Sequence, residues 1–194
     1  MPAVLSSPTI TPEDFLEMGD RAKGFELVDG QLKEKPVSTE SSRVGGDILI
    51  QVGYHVKQGR LGWTFPQDTA FRCFATDPGR VRKPDGAFIS FDTLPESEYE
   101  PDGFCTTVPD LIWEVVSPKD LAYELDAKID EWLAAGVKAT WVFHPKNRTV
   151  HILRADGTSA FLRERDTLTE PALLPGFSAS VAELFGRPSR TTTA

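Results

Sequence analysis

Soft and imidazole metal ligands are scarce in this 194-residue chain, which has two cysteines and three histidines. Cys73 and Cys105 are too few for a disulfide framework and too isolated for a zinc knuckle. His55, His144 and His151 are too scattered for a histidine-rich cluster, so all five are read as ordinary structural residues. Long apolar runs are missing too. The strongest, around 110–116 and 139–143, fall far short of the about 20 residues a membrane helix needs. The first ten residues have neither the basic head nor the apolar core of a signal peptide. A soluble, cytoplasmic protein without a membrane partner is therefore expected.

Positive charge is also in deficit: 21 Lys and Arg face 29 Asp and Glu, a net charge of −8. The chain as a whole thus lacks the basic footprint of a polyanion binder. The local exception is the run Arg80, Arg82 and Lys83 directly before Asp85, which makes Arg82 and Lys83 the candidate nucleic-acid contacts; a solvated loop is the alternative. No glycine-rich phosphate loop is present, because Gly45-Gly46 lies in a helical pattern without the lysine and hydroxyl such a loop requires. Ser117 has no elbow glycines and no histidine base nearby, which removes the support for acyl transfer. There is no internal repeat.

What the chain does contain is enough apolar residue, 40%, for one sizeable core, expected over 11–186 with disordered ends at 1–10 and 187–194. Thr11-Pro12-Glu13-Asp14 reads as a helix start, and Asp29-Gly30 as the turn of a hairpin that places Glu26 on a strand. Val44, Ile48, Val52 and Val56 recur every fourth residue in a helix opening at Ser41 or Ser42 and ending at Gly59. Strand-like segments follow at 62–65, 69–74 and 85–91, with a turn at Asp77-Pro78-Gly79 and a long polar loop over 92–107. A buried strand at 110–116, a helix at 119–135 capped by Gly136 and a strand at 139–143 form a crossover unit whose two strands should be parallel. A hairpin over 148–163 and a short helix at 181–185 complete the expected domain. Trp113, Trp132 and Trp141 fall on its core elements.

Two charges interrupt this apolar pattern. Glu114 is embedded in the strand at 110–116, where a carboxylate must be paired, protonated or metal-bound. Lys128 borders the inward stripe of Leu121, Leu125, Ile129, Trp132 and Leu133 on the next helix and needs an anionic partner. A structural Glu114–Lys128 ion pair is the simpler account. The chemical one adds Asp85, at the start of its own strand. Asp85, Glu114 and the main-chain carbonyl of Val115 are hard oxygen donors suited to Mg²⁺, and a lysine beside them can orient water and offset developing negative charge.

The segments 25–30, 81–85, 109–118 and 128–145 together resemble the Uma-two family of putative restriction endonucleases (domain of unknown function 820), within the PD-(D/E)xK nuclease superfamily. The resemblance implies an α/β restriction endonuclease-like core, a central mixed β-sheet flanked by helices, with an N-terminal β-hairpin. It implies catalytic roles for Asp85 and Glu114 as metal ligands, for Lys128 as the displaced lysine of the motif, and for Glu26 in metal binding or water positioning. The sequence departs from the pattern in that Val116 stands where the motif lysine usually lies, and His144 where relatives commonly carry aspartate. The implied activity is Mg²⁺-dependent (Mn²⁺ possible) endonucleolytic hydrolysis of DNA, leaving 5′-phosphates, by a homodimer. The rival is a non-catalytic binding or assembly protein that retains the nuclease fold.

Overall fold

The computed structural model describes residues 9–186, so the expected disordered ends lie outside the described residues apart from Thr9 and Ile10. Helix α1 (Pro12–Glu17) opens with a capping box in which Thr11 and Asp14 each satisfy the other's backbone N–H. Strands β1 (Phe25–Val28) and β2 (Gln31–Glu34) form the expected hairpin; Asp29 and Gly30 turn it with φ of 51° and 71°, the left-handed pair of a tight turn. Helix α2 (Thr39–Gly59) begins earlier than its apolar repeat indicates, because Ser38 and Ser41 make a second capping box. The left-handed residue that ends it is Arg60, not Gly59.

Six strands make the central sheet in the order β3 (Gly62–Pro66), β4 (Gly86–Ser90), β5 (Leu111–Val115), β6 (Ala139–His144), β7 (Thr149–Arg154) and β8 (Ser159–Leu162). Only β5 and β6 are parallel, joined by the crossover helix α3 (Ala122–Ala135), so the sheet is mixed as expected. One face packs on α2: Val44, Ile48, Val52 and Val56 meet Trp113, Val115 and Trp141. Burying each of these aliphatic side chains stabilises the fold by about 1.5–3 kcal/mol. The other face carries Ile112, Trp132 of α3 and the loop residues Phe71 and Phe74. Strand alternation turns Glu114 toward this second face, the side from which α3 presents Lys128.

Three expectations change. The segment 69–74 is not a strand: Phe71 alone bridges both Arg82 and Cys105, and the turn anchored at Asp77 returns the chain before a ladder can grow. Helix α3 starts at Ala122 instead of 119, because Asp120 Oδ2 accepts the Ser117 N–H and holds residues 117–120 in a local turn. Leu121 is consequently 49% exposed and not on the inner stripe. A second hairpin, β9 (Thr167–Glu170) and β10 (Leu174–Ser180), precedes the short helix α4 (Val181–Leu184). An irregularity between Leu174 and Ala179 breaks the alternation that would have announced it.

Candidate active site

Asp85 clasps the two residues that flank Glu114. Regular pairing of β4 with β5 reaches Gly86 and Trp113, and the next links are made by Asp85. Its N–H donates to the Trp113 carbonyl at 3.0 Å, and its Oδ2 accepts the Val115 N–H at 2.6 Å. Gly86 is needed for this approach, since a Cβ there would overlap the Trp113 indole. Asp85 and Glu114 line one cleft with Val115, between the β1–β2 hairpin and the start of α3.

Lys128 points into that cleft. Its Nζ lies 2.8 Å from Glu114 Oε1 and 2.9 Å from Glu26 Oε1, and the residue is 8% exposed. Glu114 is itself buried, at 5% exposed, and the Lys128 ammonium is the cation against its Oε1. Burial opposes charge on Lys128, but the carboxylates of Glu114 and Glu26 outweigh it and raise its pKa. At Glu114 burial prevails over Lys128 and Lys35, pushing the carboxyl up to about 7. At Glu26 burial is overcome by Lys128, Arg82 and Lys35, with the Lys83 N–H adding a hydrogen bond, and the pKa falls to about 2. Two carboxylates on one lysine are thus driven apart in acidity.

Arg82 and Lys83 do not form an exposed basic strip. They are 4% and 8% exposed: Arg82 pairs with Glu26 at 2.8 Å and Glu131 at 2.6 Å, while Lys83 Nζ donates to the Ala22 carbonyl and covers the Phe15 ring. The physical reason is that each buried cation needs a local acceptor: β1 and α3 supply carboxylates to Arg82, and the chain before β1 supplies the Ala22 carbonyl to Lys83. Arg80 extends the network, joining Glu131 to Asp29 and Asp77. Two members escaped the sequence reading. Glu131 lies three residues after Lys128, on the same side of α3, a signal that helical spacing offers. Lys35, whose Nζ is 2.7 Å from Asp85 Oδ1, follows β2 without any pattern to mark it.

Among the described residues no three His, Cys, Asp or Glu side chains form a ready cation cage. The donors that fit a hard divalent ion are the carboxylates of Asp85 and Glu114 and the carbonyl of Val115, all oxygen, a set that leaves room for the waters Mg²⁺ retains. The remaining candidates serve structure. His55 Nε2 lies 3.0 Å from the Pro175 carbonyl, the His144 and His151 rings pack together, and Cys73 and Cys105 are free thiols. Trp113, Trp132 and Trp141 are fully buried, and Trp63 stacks on Tyr99.

The Uma2 family model, described as "Putative restriction endonuclease", matches residues 12–182. A crystal structure described as a putative nuclease belonging to DUF820, from Anabaena variabilis, has the same fold, with a TM-score of 0.76 and 20% sequence identity over 91% of this chain and 97% of that one. No curated protein matches the chain. No helix among the described residues is long and apolar enough to cross a membrane.

Proposed function

Because the chain belongs to the Uma2 family of putative restriction endonucleases, we propose that it is a Mg²⁺-dependent endonuclease that hydrolyses DNA phosphodiester bonds in the cleft of Asp85, Glu114 and Lys128. The observation that carries this reading is the clasp of Asp85 on both neighbours of Glu114, with the Lys128 ammonium 2.8 Å from Glu114. Asp85, Glu114 and the Val115 carbonyl would hold the ion, Mg²⁺ or Mn²⁺. When bound, the ion acidifies a water ligand and stabilises charge on a phosphoryl oxygen.

Lys128 orients the attacking water and offsets the negative charge that grows on the phosphate. Glu26 also holds that ammonium, at 2.9 Å, and is itself held by Arg82 and the Lys83 N–H. Arg82 is therefore a positioning residue, and the DNA contacts lie elsewhere on the cleft rim. With a net charge of −8, the protein relies on the cation and a few local donors to accept a polyanion. Cutting both strands calls for two copies, a homodimer, and the family resemblance points to 5′-phosphate ends.

Cleavage of plasmid DNA with Mg²⁺ or Mn²⁺ by the wild type, Glu114→Ala and Lys128→Ala tests the reading. Loss in both variants is expected, and equal activity in all three would sink it. The same ion pair also favours a second reading, a binding or assembly protein that keeps Glu114 and Lys128 for stability alone. Absence of cleavage by the wild type on any DNA or RNA would select it.

A further inference from the structure

Lys35 reaches from the end of the hairpin to the carboxylate that the proposed function makes a metal ligand. Its Nζ lies 2.7 Å from Asp85 Oδ1 and 2.8 Å from the Lys83 carbonyl oxygen, and its side chain is 12% exposed. The other Asp85 oxygen already accepts the Val115 N–H. Oδ1, the oxygen left to face an ion, is thus capped by a cation belonging to the chain itself.

The charges around the cleft divide unevenly. Glu114 and Glu26 share Lys128, and Glu26 has Arg82 in addition, whereas the ionic partner of Asp85 is Lys35. A divalent ion cannot join Asp85 Oδ1 while the ammonium stays in contact with that oxygen, because two positive centres at so short a separation in a half-buried site repel strongly. The Lys83 carbonyl offers a pivot: the ammonium can leave Oδ1 and keep one hydrogen bond.

We propose that Lys35 is a tethered counter-ion of Asp85 that competes with the divalent cation, so that ion binding displaces its ammonium and Lys35 sets the metal affinity of the site. This rests on the reading of Asp85 as a metal ligand. It makes Lys35 a determinant of cation affinity in the DNA-free protein, distinct from Lys128, whose partners are Glu26 and Glu114.

Calorimetric titration of Mn²⁺ into the DNA-free full chain reads the effect directly, for the wild type, Lys35→Met, Lys35→Gln and Asp85→Asn. Both Lys35 variants should bind Mn²⁺ at least about tenfold tighter than the wild type, the size expected when a competing charge is removed. Mn²⁺ affinity unchanged or weakened in both, with Asp85→Asn abolishing binding, would overturn the role of Lys35 and leave the metal reading intact. Wild-type affinity retained in Asp85→Asn would overturn the metal reading itself. A second measurement uses unmodified protein: acetylation of Lys35, read by mass spectrometry, should rise several-fold when Mg²⁺ alone is added, while Lys119 serves as the exposed control. Equal labelling with and without Mg²⁺ would also reject the displacement.

Discussion

The ammonium of Lys128 stands 2.8 Å from the carboxylate of Glu114, so a helix supplies the positive charge beside a strand that is followed directly by the apolar Val116. Lys128→Met keeps the stem and removes the charge. Glu26 retains Arg82 and the Lys83 N–H, so the fold should persist while DNA cleavage falls about a hundredfold or more. Single-turnover cleavage beside a circular-dichroism melt separates the two effects. A cleavage rate within a few-fold of wild type would contradict the assigned role.

The two carboxylates on Lys128 give stability opposite pH dependences. Glu26 has its folded pKa lowered from 4.5 to about 2, so its contribution, on the order of 3 kcal/mol, is present above pH 4.5 and lost as the pH falls toward 2. Glu114 has its folded pKa raised from 4.5 to about 7, so the folded form binds its proton more tightly and stability declines as the pH rises from 4.5 to 7. Urea midpoints across this range should peak near pH 4.5 in the wild type. Glu26→Gln should reduce the acid-side slope, which Asp110 shares, and Glu114→Gln the slope on the alkaline side, which Asp120 shares; two unchanged profiles would refute the assignment.

Arg82→Met leaves the buried Glu26 and the half-buried Glu131 without their shared guanidinium. A loss of about 3–5 kcal/mol in urea unfolding is expected, as for other broken buried pairs. The salt dependence of DNA binding should stay as in the wild type. A change in salt slope by about one unit would instead mark Arg82 as a phosphate contact.

Gly86→Ala places a Cβ against the Trp113 indole at the last regular pair before Asp85. Overpacking of this kind costs about 1–3 kcal/mol. Because the strain falls beside the clasp, cleavage should drop more than the stability loss explains. Activity equal to wild type at a temperature where the variant is fully folded would show that the clasp tolerates the shift.

Most of the fold was legible in the sequence because its elements obey local rules. The every-fourth-residue repeat from Val44 to Val56, the Asp29-Gly30 turn and the alternation around Glu114 each announce one element through residues close in the chain. The β9–β10 hairpin was not legible, since its register breaks between Leu174 and Ala179 and leaves no clean period. The start of α3 was misread for a similar reason: a single side-chain hydrogen bond from the Ser117 N–H to Asp120 outweighed the helical pattern.

The sequence alone determined which charges had to find partners, because Glu114 in an apolar strand and Lys128 at an apolar stripe can be buried only when compensated. It also set Asp85 apart by its place at the head of a strand. Only the tertiary structure decided who the partners are. It gave Lys128 to Glu26 as well as Glu114, withdrew Arg82 and Lys83 into the interior, and brought the unmarked Lys35 onto Asp85. Ion pairing depends on distance in space and on the dielectric between charges, and residues far apart in the chain, such as Glu26 and Arg82 at a separation of 56 positions, meet only after the sheet and helices have packed.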